Sequence, residues 1–238
     1  MIHKTPTAPR AAQRRRRERT REEILAHAER AVAEGGLESL ALHRLASDLG
    51  YRTGALYRYF DGKDALVLAL LERAVDAIAS RVRAGMAAAD AAIGRRPAAG
   101  ERALGRIVAA SRAYLEAEPH HAALVARMLA DPRPVVSDLA SGTRALPAAL
   151  GVIVELVACF AEARAARVLR RGNDAQRVSL LWSSLQGLST ARKMARFGVA
   201  GDFDRLGAPL VRALLCGFGA DPAILDAAIH RTFREVKR

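Results

Sequence analysis

The chain has 238 residues but only two cysteines, Cys159 and Cys216, far apart and with no CxxC pairing. That excludes a disulfide scaffold and a thiolate zinc site. Long apolar runs are missing too. The longest, Ala145 to Val154, is interrupted by Pro147 and Gly151, stops at Glu155 and is too short to span a bilayer. The N-terminus has charge but no apolar segment behind it, so no secretory signal is expected. It is Arg-rich like a transit peptide, but Glu18 and the helix that follows argue against that reading. The default is a soluble, cytosolic protein. β-Branched residues are few and no segment alternates apolar and polar residues with period two, so no sheet is expected. HExxH spacing, a glycine-rich phosphate loop and a nucleophile–base constellation are all absent. Neither enzymatic activity, nor a cofactor, nor a metal is therefore expected.

What remains is alanine, arginine and helical periodicity. Alanine fills 51 positions, and apolar residues recur at three- and four-residue spacing nearly throughout. The fold class read from this is all-α. Hydrophobic residues make up 51%, enough for a real core. The formal net charge is +13, unevenly spread. Residues 1–21 hold eight basic groups against the single acid Glu18, a net +7, whereas residues 22–63 are slightly acidic. A basic head on a globular body points to a polyanionic partner. Of the 38 basic residues 34 are Arg, a bias that codon usage could produce, so an individual Arg is singled out only on geometry.

The chain divides into a flexible basic arm (1–18, with Arg14, Arg15, Arg16 and Arg17), a three-helix unit (19–66) and a larger helical part (67–238). Thr20 is a candidate N-cap for the first helix, whose stripe is Ile24, Ala28 and Val32. Gly35-Gly36 stops it. A second short helix carries Leu42, Leu45, Ala46 and Leu49, and a third runs from about Thr53 to Phe60. Gly50 supplies the tight turn between them, and the pair reads as a helix-turn-helix. On the helical wheel Leu56 and Phe60 face Leu45, Leu49 and Ile24. Arg58 points away from that core beside Gly54 and Ala55, with Tyr57 and Tyr59 on the flanks. An outward face of this kind enters the major groove, where Arg58 can offer two donors to a guanine and Ala55 can touch a thymine methyl. The same residues also suit a plain helical hairpin with a solvated arginine.

These residues resemble the DNA-binding domain of TetR-family (tetracycline-repressor-like) transcriptional regulators. The likeness covers Thr20 to about Ala69 and is carried by Ile24-Leu25, Ala28, Gly35-Gly36, Leu45-Ala46 and Leu49-Gly50. It continues through Gly54-Ala55-Leu56-Tyr57-Arg58-Tyr59-Phe60 and Lys63-Asp64-Ala65-Leu66. The resemblance implies an N-terminal helix-turn-helix domain joined to a larger helical ligand-binding and dimerisation domain. It implies a homodimer on a near-palindromic double-stranded operator, acting as a repressor that answers to a small-molecule effector. It further implies that Tyr57 and Lys63 contact phosphates and that His43, Arg44, Arg52 and Thr53 lie near DNA. Two departures stand out: Ala41 where the family has a Ser or Thr cap, with Ser39 as an upstream substitute, and Tyr51-Arg52 in the turn.

Beyond residue 90 the family is not legible from the residues. Candidate pocket residues are Tyr114, His121, Met128, Phe160, Trp182 and Gln186, each of which also reads as ordinary core or surface. Candidate dimer-interface residues are Leu181, Leu185 and Leu188 on one helix and Leu210 and Leu214 on another, where apolar residues occupy two faces. His120-His121 reads as a buried or helix N-terminal pair, since no second metal motif accompanies it. Two other readings stay open. One is a helical small-molecule-binding protein or enzyme with an incidental basic tail. The other is a nonspecific architectural DNA binder, which leaves the large C-terminal part unexplained.

Overall fold

The computed structural model describes residues 8–93, 100–130, 145–192, 202–203 and 205–233. Among these, regular structure is helical throughout, in the order α1 (Ala8–Gly35), α2 (Leu42–Asp48), α3 (Thr53–Leu56), α4 (Gly62–Ala92), α5 (Glu101–Leu115), α6 (Pro119–Ala130), α7 (Ala145–Ala165), α8 (Asp174–Ala191), α9 (Gly207–Gly217) and α10 (Pro222–Phe233). The expected linker residues 94–99, the turn at 131–134, and Met194 and Phe197 lie outside the described residues, as does the side chain of Met128.

The first correction concerns the arm. Residues 8–18 are not a flexible leader but the first turns of α1, a helix of 28 residues. Periodicity missed this because the arginine run has no apolar stripe to follow. Alanine, arginine, glutamine and glutamate nevertheless rank among the better helix formers, and extending a nucleated helix costs far less than starting one. The turns after Thr20 anchor the helix through buried Ile24, Ala28 and Val32, and Thr20 is interior to α1 rather than its N-cap. Exposed pairs Arg14–Glu18 and Arg19–Glu23, at 2.8 and 3.7 Å, reinforce the extension at i,i+4 spacing. Pro9 sits in the first turn, where no intrahelical N–H bond is lost.

The helix-turn-helix pair closes through a Schellman arrangement. Tyr51 N–H donates to the Ala46 carbonyl at 2.8 Å and Gly50 N–H to the Ser47 carbonyl at 3.0 Å. Gly50 adopts φ 69°, the left-handed region, with no neighbour within 4 Å of where a Cβ would stand. Gly50→Ala should therefore cost only the backbone term, about 1–2 kcal/mol of stability in chemical denaturation. A loss within a few tenths of zero would mean the turn relaxes into another conformation.

Two details differ from the sequence reading. Ser39 does not cap α2; its hydroxyl donates to the carbonyls of Ala31 and Gly36 at 2.8 and 2.7 Å, pinning the end of α1. The third helix is regular only from Thr53 to Leu56. The chain then tightens, with Tyr59 and Phe60 N–H both bonded to the Leu56 carbonyl, so Phe60 still turns inward.

Buried side chains fall into two clusters. The N-terminal one joins Ile24, Leu25 and Ala28 of α1 to Leu45, Leu56, Phe60 and the α4 residues Leu66 and Leu70, and is closed by Leu124 and Val125 from α6. The larger one centres on α5, with Phe160 of α7, Leu181 and Leu185 of α8, Val211 and Leu215 of α9 and Leu225 of α10. The expected boundary at 66/67 falls inside α4, which is 31 residues long and contributes to both clusters. Gly100, at φ 78°, lets α5 begin against α7–α8: a Cβ there would stand 2.4 Å from Val168 Cγ2. Arg177 is 6% exposed, yet it is satisfied by Asp174 at 3.1 Å and by the Arg170 carbonyl, which fixes the α7–α8 corner.

Leu181, Leu185 and Leu188, expected at a dimer interface, are instead 2%, 4% and 8% exposed within their own chain. Periodicity marks such a stripe for burial but cannot say against what. The side of α8 left open carries Leu180, 54% exposed, and Leu206 before α9 is 43% exposed. Leu210 and Leu214 are half-buried against the larger cluster.

Candidate nucleic-acid interface and apolar cavity

Leu56 and Phe60 are buried at 0% and 3%, and their burial fixes which way the rest of the recognition segment faces. Arg52, Thr53, Gly54, Tyr57 and Arg58 are exposed, while Ala55 and Tyr59 are half-buried. His43 and Arg44 are exposed on α2, and Lys63 on the first turn of α4. All ten residues expected near DNA thus fall between His43 and Lys63 on α2–α4 and their turns, eight of them exposed and Ala55 and Tyr59 half-buried.

The helical start of α1 adds something the sequence did not offer. Gln13, Arg16, Arg17 and Thr20, spaced as one helix face, line an open cleft whose other wall is Tyr51, Ala55, Leu56, Arg58 and Tyr59. Arg17 donates to the Arg58 carbonyl at 3.0 Å. Arg21 lies over the Phe60 ring, 5.2 Å from its centroid, and holds the two elements together below the cleft. Arg14 and Arg15, also exposed, are not among the residues lining it.

A second concavity lies in the body. Val75, Ile78, Val82, Ser111, Tyr114, Val125, Val152, Leu156, Val178 and Trp182 help line a cavity of about 270 Å³. Tyr114 and Trp182 were expected there. Gln186 stands just behind, accepting a hydrogen bond from the Tyr114 hydroxyl. Burial pushes the Tyr114 phenol up to about 12, against a hydrogen bond from Trp182 that lowers it. Ser111 spends its hydroxyl on the Ile107 carbonyl at 2.7 Å. None of the described lining residues carries a charge.

Two other pocket candidates are elsewhere. Phe160 is fully buried and packs edge-on against Phe218, with ring centroids 6.0 Å apart. His121 belongs to the contact between α6 and α1, where its Nε2 bonds Glu29. Burial pushes the Glu29 carboxyl upward, but hydrogen bonds from His121 and His120 and the charge of Arg73 outweigh it and hold it below the usual range. Glu29 escaped the sequence reading because its partners lie 91 and 92 positions away.

Residues 24–70 match the family described as bacterial regulatory proteins, tetR family. No curated protein matches the chain in sequence. Among solved structures, a protein of unknown function from Rhodococcus sp. RHA1 is similar at TM-score 0.64 and 20% identity, covering 83% of this chain and 94% of that one. A TetR/AcrR-family transcriptional regulator from Thermobifida fusca YX-ER1 is similar at 0.57 and 20%, covering 84% and 98%. The transcriptional regulator FadR from Bacillus subtilis, in complex with stearoyl-CoA, is similar at 0.55 and 16%, covering 82% and 98%. At residues 24–70 this chain therefore carries the helix-turn-helix domain of the tetR family of bacterial regulatory proteins, set on a helical body with the fold of TetR/AcrR regulators.

Proposed function

We propose that this chain is a sequence-specific transcriptional repressor that binds a near-palindromic operator as a homodimer and leaves it when a small apolar effector fills the body. The observation that carries the reading is the division within one short segment: Leu56 and Phe60 are buried while Arg52, Thr53, Gly54, Tyr57 and Arg58 are turned to solvent. Glycine and alanine at 54 and 55 let backbone approach a groove, Arg58 offers a base-reading fork, and Tyr57 and Lys63 reach for phosphates. The operator is met in the cytoplasm.

Two copies place two recognition segments in successive major grooves, which a palindromic site mirrors. The faces carrying Leu180, Leu206, Leu210 and Leu214 are the candidates for joining them. The effector is an uncharged, compact molecule, because a charge would enter the cavity without a partner. The similar FadR structure is a complex with stearoyl-CoA, which supports a small-molecule effector for a chain of this fold. Effector binding shifts the population toward a dimer whose recognition segments no longer match the groove spacing.

Selection of bound DNA by the full chain, followed by two variants, tests the reading. Lys63→Ala should weaken binding evenly across sequences and reduce the salt slope by about 1, whereas Arg58→Ala should relax preference at one position by about 1–3 kcal/mol. Unchanged preference in Arg58→Ala removes its base-reading role. The cavity alone also suits a small-molecule-binding protein that never engages DNA. A gel shift with genomic fragments in which no fragment is retained would favour that alternative, and retention without preference would favour an architectural binder.

A further inference from the structure

Where the helix-turn-helix domain meets the body, three side chains converge. Glu29 projects from α1, and His120 and His121 open α6 directly after Pro119. Both imidazoles direct Nε2 at the same carboxylate oxygen, Glu29 Oε1: His120 at 3.3 Å and His121 in a closer hydrogen bond. The rings lie against each other, with centroids 4.2 Å apart. Glu29 Oε2 is taken separately by Arg73 Nε at 2.9 Å, and the same guanidinium reaches Glu22 at 2.7 Å. The three convergent side chains are 11–17% exposed, enough for an ion to enter from solvent.

A carboxylate oxygen can accept from both Nε2–H groups, so hydrogen bonding alone satisfies this contact. Two neutral imidazole nitrogens and one carboxylate oxygen are, however, the donor set of a borderline divalent ion. Tetrahedral zinc, with bonds of about 2.0–2.1 Å, sets its donors about 3.3 Å apart. The His120 Nε2–Glu29 Oε1 separation is 3.3 Å and all three donor atoms lie within 4.8 Å of one another, while His121 Nε2 stands closer to Oε1 and must draw back for an ion to enter. Arg73 completes the pattern: by holding the other carboxylate oxygen it orients Glu29 so that Oε1 faces the two imidazoles, as outer-shell partners do in metal sites.

We propose that Glu29, His120 and His121 form a binding site for one divalent transition-metal ion of the zinc class, with water in the fourth position, that clamps the N-terminus of α6 onto α1. The clamp adds to the contact that Leu124 and Val125 of α6 already make with the N-terminal cluster. Val125, one turn further along α6, belongs to the N-terminal cluster and also lines the apolar cavity. An ion at this position therefore stiffens the connection between the cavity and the recognition segment.

Calorimetric titration of the untagged full chain with zinc chloride tests the site. The expected result is saturation at one ion per chain, with affinity falling at least about tenfold in His120→Ala, His121→Ala and Glu29→Gln. His230→Ala, an exposed histidine on α10, should bind as the parent does. Circular dichroism checks folding of each variant, and His121→Gln serves as a milder substitute if burial makes His121→Ala unstable. X-ray absorption of the loaded chain should report two imidazole nitrogens with oxygen completing the shell. Absence of saturable uptake at equimolar zinc overturns the proposal, as does uptake that all three variants retain.

Discussion

Replacing Arg16 and Arg17 together by alanine is expected to lower the salt dependence of DNA binding by about 1.8 in log–log slope, against a much smaller change for Arg14 and Arg15. Each phosphate neutralised on duplex DNA contributes about 0.9 to that slope. In a disordered arm all four arginines would be interchangeable. In α1 they are not, because successive side chains turn by about 100° around the helix. Gln13, Arg16, Arg17 and Thr20 form the face on the recognition cleft, and Arg14 is paired outward with Glu18. Arg17 also bonds the Arg58 carbonyl, so its loss should loosen the recognition turn as well as remove a charge. Affinity measured across a salt series for both double variants settles the matter. Equal slopes in the two would mean that α1 frays on DNA and the arginines act as a diffuse charge. Deletion of residues 1–18 should flatten the slope further and, by removing the Arg17 bond to the Arg58 carbonyl, also weaken base preference.

Leu56→Ala should be the most damaging single change in the recognition domain, at about 2–5 kcal/mol in equilibrium unfolding. Regular α3 is only 4 residues long, far below the length at which a helix holds itself in water. Leu56 is its one buried side chain, 0% exposed among α1, α2 and α4 residues. Truncation leaves a cavity where the segment is anchored, so the outward face around Arg58 loses its support along with the stability. Sequence-specific binding should disappear at temperatures where the body, with its separate cluster around α5, stays folded. Retention of full operator affinity at undiminished stability would show that Phe60 and the turn at Gly50 position the recognition segment by themselves.

Much of the recognition domain was legible before any coordinates. Leu56 and Phe60 were read from local spacing as one inward face packed on Leu45, Leu49 and Ile24, and the structure buries all of these but Leu49, which is half-buried. Gly50 was read as a left-handed turn, and it has φ 69°. Local signals of this sort survive because a two-turn helix and its stop are decided by residues within a few positions of each other.

The body was less legible, for a different reason. The stripe Leu181, Leu185 and Leu188 identified a buried face, but the partner turned out to be the chain's own core rather than a second copy. Tyr114 and Trp182 do line the cavity, whereas Phe160 fills the core and His121 seals a junction. An aromatic or histidine at helical spacing announces burial, and only the packing of distant helices decides whether it meets a void, a core or a carboxylate.

By itself, the sequence determined an all-helical chain, a helix-turn-helix with its inward and outward faces, and a basic N-terminus. These follow from periodicity, turn chemistry and charge, all local quantities. Tertiary structure decided that the basic segment is the start of α1 with two arginines on the recognition cleft, and that α4 runs through both cores. It also decided that Glu29 stands against two histidines more than ninety positions away. Those arrangements depend on which helix faces are driven together by apolar burial, and burial brings together residues whose separation along the chain carries no mark of their meeting.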